Sequence, residues 1–107
     1  MSIKTITVHE LKKMIDNNEE FHFIDVREQH EYELVNLNAE LIPMSVVPAN
    51  IEKFEREGKV IIHCRSGARS GNLIVQLQQI KGYDNLYNLE GGILAWATEI
   101  DKSMPTY

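Results

Sequence analysis

An uninterrupted apolar run, Val60-Ile61-Ile62, leads directly into His63-Cys64-Arg65-Ser66-Gly67-Ala68-Arg69-Ser70, and a helical pattern begins near Ser70. A short apolar run closed by a Gly/Ser loop reads as a buried strand. Val60–His63 is the most strongly apolar strand candidate in the chain and is expected at the centre of a sheet. The strand–loop–helix order restricts the fold to architectures in which a strand ends where a helix begins.

The rest of the chain repeats that alternation. Lys4–Thr7 is a short strand candidate. Thr7 and Glu10 have the spacing of a capping box, and Leu11, Met14 and Ile15 give a helical stripe to about Asp16. Phe21–Val26 reads as a strand, Glu28–Val35 as a short acidic helix, and Leu41-Ile42 as a strand stopped by Pro43. Pro48 at a first-turn position predicts a helix through Ile51 and Phe54, closed by Gly58. Leu73, Leu77 and Ile80 mark the face of the helix after the cysteine loop, which Gly82 ends. Asn85–Asn88 reads as the last strand. Gly91-Gly92 opens a final helix striped by Ile93, Trp96, Ala97 and Ile100, with Trp96 read as core. Asp101–Tyr107 is expected to be a loosely ordered tail. Alternating strands and helices over 107 residues predict one α/β domain, residues 1–107, with a parallel sheet and helices on both faces. Ligands of such sheets bind beyond the carboxyl ends of the strands. Cys64 and the segment Asp25-Val26-Arg27 both fall there and are expected to line one crevice.

Cys64 is the only cysteine. In a loop before a helix N-terminus it sits among backbone N–H groups, which together with the helix dipole favour anions. The same groups favour thiolate over thiol, and Arg65 and Arg69 add positive charge on either side. Cys64 is therefore expected to have a lowered pKa and to act as a nucleophile. A buried structural cysteine is the bland alternative. Two arginines and a glycine within five residues fit a packed core poorly.

A lone cysteine forms no internal disulfide, and a reactive thiol is best kept in a reducing compartment. Met1–Thr5 lacks the apolar run of a signal peptide, and no stretch approaches the ~20 apolar residues that span a bilayer. The expected location is the cytoplasm, with no membrane partner. The formal net charge of −5 argues against nucleic acid as a partner. Any anionic substrate must then be attracted locally, at the cysteine loop. His9, His22, His30 and His63 show no metal-site spacing with other ligands, so no metal and no cofactor are expected.

These segments resemble the rhodanese family of single-domain sulfurtransferases, over nearly the whole chain. Asp25-Val26-Arg27-Glu28 with Glu31-Tyr32, Ile42-Pro43, the Val60–Ser70 strand and loop, and Asn88-Leu89-Glu90-Gly91-Gly92-Ile93-Leu94-Ala95-Trp96 are similar to family motifs in order and spacing. Leu34–Glu40 departs from the family's Gly-His-Ile and Gly-Ala pattern, which bears on local turn geometry. The resemblance implies a small rhodanese-like domain with a five-stranded, mostly parallel sheet. It implies that Cys64 takes the outer sulfur of a donor such as thiosulfate as a persulfide. An acceptor then removes it: cyanide, a small thiol or a partner protein's thiol. A monomer is expected.

Within that reading Cys64 is the nucleophile, and Arg65, Ser66, Gly67, Ala68, Arg69 and Ser70 form the substrate-binding loop. Backbone N–H groups from Arg65 to Ser70 stabilise the anion. Arg65 pairs with the donor's sulfonate. Arg69 either does the same or ties the loop to an acidic neighbour such as Asp25. Ser70 either donates to sulfur or caps the helix. Asp25 and Arg27 support the site as an ion pair, and His63 is packed or backbone-bonded rather than a general base. Two rival functions remain. One is a protein-to-protein sulfur relay, and the other is a Cys-based phosphatase or arsenate reductase. The spacing here is Cys-x4-Arg, whereas phosphatase loops run Cys-x5-Arg.

Overall fold

The computed structural model describes residues 2–107. Five strands form one sheet: β1 (Lys4–Ile6), β2 (His22–Asp25), β3 (Glu40–Leu41), β4 (Val60–His63) and β5 (Leu86–Leu89), in the order β1-β5-β4-β2-β3. Every neighbouring pair is parallel. β4 lies at the centre, and all four of its residues are buried. This is the position that its unbroken apolar sequence requires.

Successive β4 side chains point to opposite faces and enter two cores. Val60 and Ile62 pack with Ile24, Leu73, Ile74, Leu77 and Leu86 on the face covered by α3 (Ala68–Lys81). Ile61 packs with Ile6, Leu11, Met14 and Leu89 on the face covered by α1 (Val8–Asp16) and α4 (Gly92–Glu99). Trp96 joins that second core partly buried. α2 (Gln29–Leu34) follows the carboxyl end of β2, where Asp25, Val26 and Arg27, expected to line a crevice with Cys64, are instead fully buried, as Cys64 is. The capping box at α1 forms as its spacing predicts: Thr7 Oγ1 accepts from the Glu10 amide at 3.1 Å, and Glu10 Oε1 accepts from the Thr7 amide at 2.9 Å.

Three expectations are corrected. No α-helix starts at Pro48, which lies inside a 3₁₀ stretch, Met44–Ala49, followed by a second, Ile51–Lys53. The bonds there are the tighter kind: Val46 N–H reaches Pro43 O at 2.9 Å and Asn50 N–H reaches Val47 O at 2.8 Å. Val47 and Phe54 still reach the core from these turns. Ile80 is 73% exposed, although its spacing puts it in line with Leu73 and Leu77. After the left-handed turn at Gly82 the chain doubles back, and Tyr83 fills the core at that end, with its hydroxyl donating to Phe54 O at 2.7 Å. The third correction is the tail, which is tied down through Tyr107, as described below.

The Leu34–Glu40 departure has a local solution. Asn38 takes a left-handed φ of 63°, and its amide donates to Asn36 Oδ1 at 2.9 Å. Asparagine tolerates this conformation better than most residues other than glycine.

Candidate active site

Cys64 lies immediately beyond β4, and its loop runs into α3. Gly67, at φ 99°, adopts a left-handed conformation that turns the backbone around the sulfur. The Gly67 amide donates to Cys64 Sγ at 3.1 Å, and the Ser70 amide does so at 3.4 Å. Ser70 Oγ stands 3.3 Å from the sulfur. Burial alone would push the Cys64 thiol up. The Ser70 hydroxyl and the amides of Ser70, Gly67 and Ser66 outweigh it and hold the thiol below its ordinary value. The pull is hydrogen bonding into a desolvated site more than guanidinium charge. Iodoacetamide alkylation of Cys64 should therefore rise with pH through an inflection below the usual thiol value of about 8.5. An inflection at or above that value would mean that the loop donors do not stabilise the anion.

The loop is clamped from behind. The first free amides of α4 have no partners within their own helix. Ile93 N–H donates to Cys64 O at 3.0 Å, and Leu94 N–H donates to Arg65 O at 3.1 Å. The carbonyls of the cysteine loop thus cap α4, and α4 fixes the strand end. The approach is so close that a Cβ on Gly92 would fall 2.5 Å from both carbonyl oxygens.

Asp25 and Arg27 are fully buried and form an ion pair, with Nη2 2.8 Å from Oδ2 and Nε 3.0 Å from Oδ1. Arg27 also donates to Glu31 O at 3.3 Å and to Val35 O at 2.7 Å, satisfying carbonyls at the end of α2. The pair is a strut between β2 and α2. His63 is buried, with Nδ1 3.2 Å from Cys64 O and its ring 5.1 Å from that of Phe23. Burial pushes its pKa down and keeps the ring uncharged at neutral pH.

Arg69 ties the loop to an acidic neighbour, but that neighbour is Glu31 rather than Asp25, whose oxygens Arg27 already occupies. Arg69 Nη1 and Nη2 meet Glu31 Oε1 and Oε2 at 2.8 and 2.9 Å, a two-point pairing. It holds the Glu31 carboxyl far below the usual carboxylate range and raises the Arg69 guanidinium. Arg65 is half-buried and has no carboxylate partner among the described residues. Ser66 and Ala68 are exposed on the loop.

Three site residues carry no role in the sequence reading. Glu31 stands inside the acidic segment, where nothing local distinguishes it from Glu28 or Glu33. Asn88 was visible as an amide in an otherwise strand-like run. Its Nδ2 donates to Gly67 O at 3.1 Å, and its Oδ1 accepts from Ser70 Oγ at 2.5 Å. The one Ser70 hydroxyl proton is shared between Asn88 Oδ1 and Cys64 Sγ, and the Asn88 contact fixes the Ser70 rotamer beside the sulfur. Tyr107 is the third: its hydroxyl donates to Glu31 Oε2 at 2.8 Å and accepts from Arg27 Nη1 at 2.9 Å.

A surface cavity of about 590 Å³, lined by Glu19, Glu20, His22 and Glu57 among others, lies at the opposite, amino-terminal ends of β2 and β4. Among the described residues no group of His, Cys, Asp and Glu side chains is placed to hold a metal ion, and no helix is long and apolar enough to cross a membrane.

A buried cysteine cradled by amides at the carboxyl edge of a parallel sheet, with helices on both faces, defines the class of α/β protein to which the chain belongs. Within it, the sequence matches the family model of the rhodanese-like domain over residues 7–99, and the chain belongs to that family. It is 37% identical over 100 residues to the putative sulfurtransferase YtwF of Bacillus subtilis, covering 92% of this chain and 95% of that one. It is 30% identical over 106 residues to the probable adenylyltransferase/sulfurtransferase MoeZ of Mycobacterium tuberculosis, covering 96% of this chain but 27% of MoeZ. The chain thus spans about a quarter of that larger relative. The crystal structure of a rhodanese-like domain protein from Staphylococcus aureus superposes with a TM-score of 0.81 at 32% identity, covering 98% of this chain and 99% of that one.

Proposed function

We propose that the protein is a sulfurtransferase in which Cys64 carries sulfane sulfur as a persulfide. The observation that carries this reading is the set of donors converging on Cys64 Sγ from Gly67 and Ser70. In the first half-reaction the Cys64 thiolate attacks the outer sulfur of thiosulfate. A Cys64 S–S bond forms, the S–S bond of the donor breaks, and sulfite leaves with its electron pair. In the second, a thiophilic acceptor attacks the terminal sulfur and the Cys64 thiolate returns. Cyanide leaves as thiocyanate, and a thiolate leaves as a persulfide. Charge on sulfur is present throughout, so fixed amide dipoles serve every step. No strong base is needed, in keeping with an uncharged, buried His63.

Arg65 is the guanidinium left to meet a sulfonate, because Glu31 occupies both terminal nitrogens of Arg69. The same occupancy counts against a phosphatase, in which the loop arginine has to face the phosphate oxygens. The Cys-x4-Arg spacing counts against it too. Kinship with a two-activity relative such as MoeZ supports a second reading of the same chemistry, in which the acceptor is a thiol of a partner protein.

Intact-protein mass spectrometry after mixing with thiosulfate tests the reading: one sulfur atom should be gained, on Cys64. In Arg65→Ala, losing a charge-assisted contact of about 1.5–3 kcal/mol should lower kcat/KM for thiosulfate roughly ten- to a hundredfold. Transfer from a neutral persulfide donor should fall much less. No sulfur uptake by the native protein would overturn the proposal, and equal losses with both donors would assign Arg65 to loop structure.

A further inference from the structure

The charges around Cys64 cancel in pairs, save one. Asp25 neutralises Arg27 at 2.8 Å, and Glu31 neutralises Arg69 at 2.8 Å. Among the described residues Arg65 is left as the unpaired cation of the loop. A free guanidinium on a flexible stem samples many positions, and an anion that needs it must pay for fixing it. What touches Arg65 here is aromatic: its Cζ lies 5.1 Å from the centroid of the Tyr107 ring. The ring is itself anchored. Its hydroxyl donates to Glu31 Oε2 and accepts from Arg27 Nη1, and both partners are buried and already committed to the Asp25–Arg27 and Glu31–Arg69 pairs. Arg27 Cζ lies 5.8 Å from the same ring. Tyr107 therefore joins both ion pairs to the one cation that neither of them uses.

We propose that Tyr107 is a positioning residue that holds the Arg65 guanidinium beside the Cys64 loop and thereby sets the preference of the site for anionic over neutral partners. The hydroxyl fixes the ring, and the ring fixes the cation through its negative face. This names the substrate class of the site proposed above and rests on that reading only for sulfur donors. The electrostatic preference itself belongs to any reagent that reaches Cys64.

Alkylation provides a test that does not involve sulfur transfer. Cys64 is the only cysteine, so the second-order rates of an anionic reagent, iodoacetate, and a neutral one, iodoacetamide, report this single site. In Tyr107→Leu the iodoacetate-to-iodoacetamide rate ratio should fall by about three- to tenfold, the scale of a lost cation–π contact at a partly desolvated site. Tyr107→Phe, which keeps the ring and loses its anchor, should fall between that variant and the native protein. In an Arg65→Ala background, Tyr107→Leu should lower the ratio no further, because the cation it positions is gone. An unchanged ratio in Tyr107→Leu overturns the inference, and so does an equal drop with and without Arg65. If the ratio behaves as expected but thiosulfate delivers no sulfur, the functional reading fails and the role of Tyr107 stands.

Discussion

Cys64→Ser is expected to fold like the native protein and to transfer no sulfur. The chain holds one cysteine, so no second thiol is available to carry sulfane sulfur. Serine fits the same rotamer, and the amides of Gly67 and Ser70, at 3.1 and 3.4 Å from the sulfur, have a hydroxyl oxygen to meet in its place. The loop itself is held independently of the sulfur, through Ile93 N–H to Cys64 O and Leu94 N–H to Arg65 O. The melting temperature should therefore change little. Chemistry is another matter: a serine hydroxyl stays protonated where the thiol ionises, and oxygen forms no stable counterpart of a persulfide. Thiocyanate formation from thiosulfate and cyanide should fall to the level of a blank without protein. Turnover in that variant would rule out a Cys64 persulfide as the intermediate.

The parts of the molecule legible in its sequence are those where a local pattern and the tertiary fold make the same demand. Val60-Ile61-Ile62-His63 is apolar on both faces because it is central, and its bounds emerge to the residue. The Thr7–Glu10 box is a local device and forms locally. The Cys64–Ser70 loop is legible because a sulfur-cradling turn has to be built from consecutive amides. What escapes is set by long-range contact. Pro48 is compatible with a helix start, but the link from β3 to β4 also has to deliver Val47 and Phe54 into the core, and short 3₁₀ turns do so. Ile80 has the right spacing but stays 73% exposed, while Tyr83 belongs to the core. Glu31 meets Arg69 across 38 positions, and Tyr107 meets Glu31 across 76. No window along the chain contains either pair. The tail looks like solvent-exposed filler for the same reason: the contacts that tie down its end are made by Tyr107, whose partners lie in α2, just after β2 and in the cysteine loop.

Gly92→Ala should be among the most damaging single-methyl additions in the chain, and the reason separates two effects that glycine substitutions usually mix. Gly92 is at φ 59°, so any side chain there bears the cost of the left-handed conformation, about 1–2 kcal/mol. Its surroundings add a collision: the new Cβ would stand 2.5 Å from Cys64 O, 2.5 Å from Arg65 O and 2.7 Å from Arg65 C. All three are backbone atoms of the loop that α4 clamps, and none belongs to a side chain able to swing aside. Relief requires α4 to retreat, which lengthens Ile93 N–H to Cys64 O and Leu94 N–H to Arg65 O and lets the cysteine loop shift. Gly58 is the control, since it is also left-handed, at φ 74°, but a Cβ there meets nothing within 4 Å. Gly58→Ala should cost only the conformational part and leave sulfur transfer untouched. Gly92→Ala should cost about 3–5 kcal/mol in all, lowering the melting temperature by roughly 12–25 °C for a domain of this size. It should also lose most of its activity at temperatures where it is still folded, because the amides of Gly67 and Ser70 no longer converge on the sulfur. Chemical denaturation of both variants, with thiosulfate:cyanide turnover measured well below each melting point, provides the comparison. Equal destabilisation of the two would mean that the α4 clamp yields freely and that the loop geometry does not depend on it.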